Sequence, residues 1–241
     1  MKGLSSGGRK LVTKVFNPCA VLLGRLKVSP NFFTVLGFLF SLAAGLSFAL
    51  AAKLPALTIY SASFFIRLGG GLILLSGLCD IFDGAVARAC GKESPFGAFL
   101  DSVLDRYSET AVLTGLIYYF AVSGDIIHTV VTVLVLGGSV FVSYTKARAE
   151  GLGVECRVGI MERPERLILL IIGALGAGYV LLVSLWLLAL LSHITAIQRI
   201  LHTRKILRQS RVKHSSSTVT IAISKSNPGK KKVPPQKQQN N

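Results

Sequence analysis

The sequence predicts an all-α polytopic membrane protein: six transmembrane helices preceded by an amphipathic interfacial helix. Three observations predict it. Of the 241 residues, 51% are hydrophobic and 16% charged, and the mean hydropathy is +0.59; a soluble domain of ordinary composition carries about a quarter charged residues. The apolar residues are gathered into runs of about 20, the length a helix needs to cross the hydrocarbon core. The basic residues fall unevenly between those runs, as loops on one side of a membrane require.

The elements follow in chain order. The apolar stretch 11–26 is broken by Lys14, Asn17 and Arg25, which suits an interfacial helix better than a cleaved leader. Residues 1–30 form this N-terminal segment. Residues 32–52 are uncharged and form the first span. A mixed connection follows, with Pro55 in it. The second span, 68–87, contains Asp80 and Asp83. After a polar turn with Gly91, Pro95 suits the start of the third span, 96–120, which holds Asp101, Asp105, Arg106 and Glu109. Ser123, Gly124 and Asp125 make a turn into the fourth span, 126–145. A basic loop fills 146–166. The stretch 167–197 is too long for one ordinary span, and Gly173, Gly176 and Gly178 near its middle divide it into a hairpin of two.

Six spans place both ends of the 31–208 domain on one side. Of the 27 basic residues, Lys53 and Arg67 then lie on the far side and the rest on the near side. That asymmetry makes the near side cytosolic. It also accounts for the net charge of +16 without a nucleic-acid partner, since no soluble domain is long enough to present a basic face. The tail 209–241, rich in Ser, Lys, Gln, Asn and Pro, has little to bury and is expected to be disordered near anionic headgroups. Cys19, Cys79, Cys90 and Cys156 include no C-x-x-C pair, so neither a disulfide nor a zinc site is expected.

Four aspartates within apolar spans carry the chemistry. Each would cost roughly 2.5–3.5 kcal/mol at a helix centre, so each must face a partner or a wet cavity. Asp80 and Asp83 are three apart, Asp101 and Asp105 four apart; each pair shares a helix face. Asp80 lies eight residues before Arg88, about 12 Å inward, and Asp105 ten after Pro95, about 15 Å inward. The two pairs therefore meet at similar depth on adjacent helices. Four carboxylates repel one another unless cations neutralise them, and hard oxygen donors suit Mg²⁺, Mn²⁺ or Ca²⁺. Structural pairing with Arg88 and Arg106 is the alternative; it leaves a surplus of two carboxylates.

The run Asp80, Asp83, Gly84, Ala87, Arg88, then Gly97, Asp101 and Asp105 resembles the signature of the CDP-alcohol phosphatidyltransferase family, D-x-x-D-G-x-x-A-R-x8-G-x3-D-x3-D, at all eight defined positions. The resemblance implies a reaction that moves a phosphatidyl-like group from a CDP-lipid to a hydroxyl and releases CMP. It implies that Asp80, Asp83, Asp101 and Asp105 hold two ions, Mg²⁺ or Mn²⁺, and that Asp105 is also the general base. It implies that Gly84, Ala87 and Arg88, together with Asp83, contact the CDP moiety. Pro30, Asn31 and Thr34 resemble the family's entry to its first span, near the nucleotide; alternatively Asn31 merely caps a helix. A homodimer in a prokaryotic membrane, with the site at the cytoplasmic side, is implied as well.

For the acceptor, the segments 143–150 and 162–167, with Ile194, Thr195, Gln198, Arg199 and His202, resemble the prokaryotic phosphatidylinositol-phosphate synthase branch. In that branch the acceptor is inositol 1-phosphate, and Lys146, Arg166 and Arg199 match positions that hold its phosphate. Arg and Lys are natural phosphate binders, yet basic residues at span ends also follow from topology alone. Archaeal ether-lipid substrates, CDP-inositol chemistry or glycerol 3-phosphate would suit the same charges.

Several residues are set aside. His128 reads as interfacial, His193 as bonded within the bundle, and Trp186 as an outer-interface marker. Glu109 continues the Asp101/Asp105 face as helper carboxylate or ion-pair partner. A divalent-cation transporter would also cluster acids in its spans, but such a path gains nothing from Gly84, Ala87, Arg88 and Gly97.

Overall fold

The structure, a computed structural model, describes residues 30–53, 61–89, 91 and 94–226. The expected interfacial helix 11–26, Cys19, Cys90 and the end of the tail lie outside them. The described chain is all helical: α1 (Pro30–Ala51), α2 (Ala62–Ala89), α3 (Pro95–Val122), α4 (Ile126–Glu150), α5 (Arg163–Gly176) and α6 (Gly178–Ser226).

The helix boundaries have local causes. At α3, Ser94 is the N-cap and its hydroxyl accepts from the Gly97 N–H at 3.0 Å, with Pro95 at the first position. At α4, Asp125 caps by accepting from the His128 N–H at 3.1 Å, after a turn in which Gly124 adopts φ +75°. The hairpin expected within 167–197 is present. It breaks at Ala177 and Gly178, with φ +53° and +48°, a conformation no helix continues through.

Asn31 lies inside the first turn of α1, not ahead of it, so the N-cap alternative for this residue does not hold. The tail also departs from expectation: α6 runs on as helix to Ser226, well beyond residue 208.

The helices pack as a closed circuit in the order α1, α2, α5, α6, α4, α3 and back to α1. Phe48, Ile73, Leu113, Leu116, Leu181, Leu185 and Leu188 fill its interior, each almost wholly buried. Where α1 crosses α3, a Cβ on Gly115 would lie 2.1 Å from the Gly45 carbonyl oxygen. Two glycines therefore set how closely these helices approach.

Among the described residues, four helices are long and apolar enough to cross a bilayer: the segments Asn31–Ala51, Ala62–Arg88, Ile126–Glu150 and Gly178–Gln209. The other two fall short for different reasons. α3 is 28 residues long but carries the charged residues of the site. α5 has 14 residues, a length of about 21 Å at the helical rise.

The two ends of the circuit differ in chemistry. At one end Lys53 sits over the Tyr118 ring, 5.7 Å from its centroid, and Arg67 Nε donates to the Leu175 carbonyl at 3.3 Å near the end of α5, where a cation is favoured. The other end holds the aspartates.

Candidate active site

α2 and α3 both pack on α1, Gly91 between them adopts φ +60°, and the Ser94 cap fixes where α3 begins. Asp101 and Asp105 reach Asp80 of α2 across the end of the bundle. One carboxylate oxygen from each of Asp80, Asp101 and Asp105 lies within 4.8 Å of the others. Oxygens bound to one ion are separated by at most about twice the metal–oxygen distance, roughly 4.2 Å for Mg²⁺ and up to about 5 Å for Ca²⁺. The donor set is all hard oxygen, so the three residues fit a divalent cation after little or no adjustment.

Asp83 is placed differently. It is buried, and Thr34 Oγ1 donates to its Oδ2 at 3.0 Å. With Asn31, Thr34, Gly84, Ala87, Arg88, Ser94, Gly97, Ala98 and Asp101, it lines a cavity of about 230 Å³. The six residues expected to contact the CDP-lipid, Asn31, Thr34, Asp83, Gly84, Ala87 and Arg88, thus surround one space next to the carboxylate group. The two glycines keep it open. A Cβ on Gly97 would come 2.9 Å from Ser94 Oγ, and one on Gly84 3.2 Å from Arg88 Nη1.

The aspartates find a different arginine from those the sequence offers. Arg88 rests over Gly84, and Arg106 donates from Nη1 to the Ser102 carbonyl of its own helix. Arg163, the first residue of α5, instead places Nη2 2.7 Å from Asp80 Oδ2 and 2.6 Å from Asp105 Oδ1. Sequence reasoning missed this role. The surplus of acid over local base signalled a missing cation, but not which distant helix would supply one.

The three expected phosphate ligands are not gathered in one described cavity. Lys146 lines a groove between α3 and α4, with Arg106, Tyr107, Tyr144 and Glu150. Arg166 is only 3% exposed; Glu109 accepts from its Nε at 3.0 Å and its Nη2 at 3.1 Å. Glu109 is therefore an ion-pair partner, and it accepts from Ser139 Oγ at 2.8 Å as well. Arg199 is 2% exposed and donates to the Val158 carbonyl at 2.8 Å and the Val142 carbonyl at 2.6 Å. It ties α4 and the following loop to α6. Unpaired buried guanidinia are costly, and the fold supplies each of these two arginines with acceptors.

His193 Nδ1 lies 3.0 Å from the Ala189 carbonyl of its own helix. Cys79 and Cys156 are buried free thiols. His128 Nδ1 lies 2.7 Å from Asp125 Oδ2 at the turn between α3 and α4. The N–H bond from His128 and its ring hold the Asp125 carboxyl below its ordinary value.

A bundle of helices, four of them long enough to cross a bilayer, with three clustered carboxylates beside a cavity lined by glycines and an arginine has the parts that metal-assisted phosphate chemistry uses. Comparison with known proteins makes the class specific. The pattern described as CDP-alcohol phosphatidyltransferase matches residues 27–206. The chain is 34% identical over 201 residues to the archaetidylinositol phosphate synthase of Methanothermobacter thermautotrophicus, covering 80% of this chain and 91% of that one. It is 35% identical over 205 residues to the phosphatidylinositol phosphate synthase of Mycobacteroides abscessus, covering 83% and 87%. The crystal structure of the Mycobacterium tuberculosis phosphatidylinositol phosphate synthase with CDP-DAG bound superposes with a TM-score of 0.66 at 34% identity, over 79% of this chain and 94% of that one. The same enzyme in complex with manganese and citrate gives 0.65 at 33%, over 78% and 88%. The chain belongs to the CDP-alcohol phosphatidyltransferase family, and it is a transferase of phospholipid synthesis.

Proposed function

We propose that this enzyme transfers a phosphatidyl group, or its archaeal ether-lipid equivalent, from a CDP-lipid to inositol 1-phosphate and releases CMP. The observation that carries the reading is the juxtaposition of the six nucleotide-side residues around one cavity with Asp101 on its wall, clustered with Asp80 and Asp105. Relatives named for inositol phosphate products, in bacteria and archaea alike, support the acceptor and leave both tail chemistries open.

Asp80, Asp101 and Asp105 would hold the divalent metal, with Asp83 completing a set for two ions, Mg²⁺ or Mn²⁺. The bound metal supplies charge neutralisation on the pyrophosphate oxygens of the CDP-lipid. The chain's own residues do the rest. Asn31, Thr34, Gly84, Ala87 and Arg88 orient the nucleotide, the glycines by letting it approach the backbone. Asp105 takes the proton of the acceptor hydroxyl. That oxygen bonds to the lipid-side phosphorus as the bond to the CMP oxygen breaks, and CMP leaves as the anion. Lys146 is placed to receive the acceptor phosphate first; Arg166 and Arg199 would join it by exchanging their present acceptors.

Six crossings are supported by the closed circuit, in which α3 and α5 turn Asp105, Glu109 and Arg166 inward while Arg106 and Glu165 stay exposed. The basic asymmetry supports a cytoplasmic site, and the family resemblance a homodimer. The test is CMP release in detergent from CDP-diacylglycerol and Mn²⁺ or Mg²⁺, comparing inositol 1-phosphate, inositol and glycerol 3-phosphate. Release confined to inositol 1-phosphate is expected. Release with glycerol 3-phosphate alone would overturn the acceptor, and no release with ester or ether CDP-lipid would overturn the reaction.

A further inference from the structure

Arg163 differs from the other buried cations in how it is held. A single nitrogen, Nη2, lies 2.7 Å from Asp80 Oδ2 and 2.6 Å from Asp105 Oδ1, and both carboxylates belong to the group whose oxygens fall within 4.8 Å of one another. Three carboxylates this close repel strongly, and one guanidinium offsets part of that repulsion at the oxygens a cation would use. Arg163 is the first residue of α5, after Glu162, whose side chain makes no cap bond, and its side chain is 34% exposed. Arg166, three residues on, is buried and held by both oxygens of Glu109. The two arginines therefore divide the work: Arg166 anchors the helix, and Arg163 is an arm at its end.

We infer that Arg163 is a place-holding counter-ion for the metal site. It keeps Asp80 and Asp105 together while no divalent cation is bound, and it competes with the cation for the same two carboxylates. When the cation binds, the guanidinium gives up these two carboxylates. Arg163 is thus a positioning residue whose removal strengthens metal binding instead of weakening it. The inference rests on the carboxylates being the metal site, as proposed above.

The experiment uses the purified full-length protein in detergent, without CDP-lipid or acceptor, titrated with Mn²⁺ and followed by the electron paramagnetic resonance of free Mn²⁺. R163M, which keeps the length and loses the charge, should bind Mn²⁺ about tenfold or more tightly than wild type, the scale of removing one close ion-pair competitor. R163Q serves as a second variant that retains a hydrogen-bonding end. In thermal denaturation with chelator the variants should melt below wild type, and saturating Mn²⁺ should close the gap; a merely structural arginine would leave the gap unchanged. Equal or weaker Mn²⁺ affinity in both variants, or a gap that Mn²⁺ does not close, overturns the inference. A wild type that binds no Mn²⁺, or binds it equally after D80N and D101N together, overturns the metal-site reading as well, so the two failures are told apart.

Discussion

Glu109 grips Arg166 through both carboxylate oxygens, at 3.0 and 3.1 Å, one helical turn beyond the point where Asp105 meets Arg163. The two pairs are successive rungs between α3 and α5, helices that are not neighbours in the packing circuit. Long side chains brace the interior at the level where the site opens.

The lower rung is expected to be the stabilising one. E109A leaves a buried guanidinium without its carboxylate and should cost on the order of 3 kcal/mol. Thermal or denaturant unfolding of the detergent-solubilised variant measures it. A loss below about 0.5 kcal/mol, the range of an ordinary surface change, would show that Arg166 finds water or another acceptor.

Asp105 is expected to act in chemistry. D105N should lower kcat for CMP release by at least about 100-fold, the scale of general-base catalysis, with far less effect on the melting temperature. Single-turnover measurement with CDP-diacylglycerol separates this loss from substrate binding. Retained turnover would move the base elsewhere.

Thr34 is expected to position Asp83. T34V keeps the shape and removes the 3.0 Å hydrogen bond to Asp83 Oδ2. Losing a hydrogen bond to a charged group costs about 1.5–3 kcal/mol. KM for the CDP-lipid should therefore rise by roughly tenfold or more, with a smaller change in kcat. An unchanged KM would detach Thr34 from the nucleotide cavity.

The α1–α3 crossing depends on two missing side chains. G115A drives a Cβ into the Gly45 carbonyl, and neither backbone can yield without repacking Phe48 and Leu116. Destabilisation of about 1–3 kcal/mol is expected, read as a lower melting temperature at unchanged metal affinity.

At the opposite end, the cap on α4 should be pH-dependent. The bonds from His128 hold the folded Asp125 carboxyl below its ordinary value. Its stabilising contribution is therefore complete above the unfolded pKa of about 4 and is lost as pH falls through the depressed folded value. The melting-temperature difference between wild type and D125A should shrink in that acid window. A difference independent of pH would assign the cap to backbone geometry alone.

Much of this was legible in the chain because it is written locally. Runs of apolar residues, Pro95 after the polar turn, Gly124 before Asp125 and the glycines around Ala177 place six helices, since backbone propensity and bilayer thickness act on neighbouring residues. The spacing of Asp80, Asp83, Asp101 and Asp105 puts four carboxylates on two facing helices for the same reason: helical periodicity converts sequence distance into direction. What the sequence does not contain is which residue answers them from far along the chain. Arg163 reaching Asp80 and Asp105, Arg166 locked to Glu109, and Arg199 bound to the Val142 and Val158 carbonyls all depend on how α5 and α6 close the circuit. Basic residues at span ends look alike in sequence. Only the packed bundle separates them, because a buried guanidinium must find its acceptors wherever the fold happens to place them.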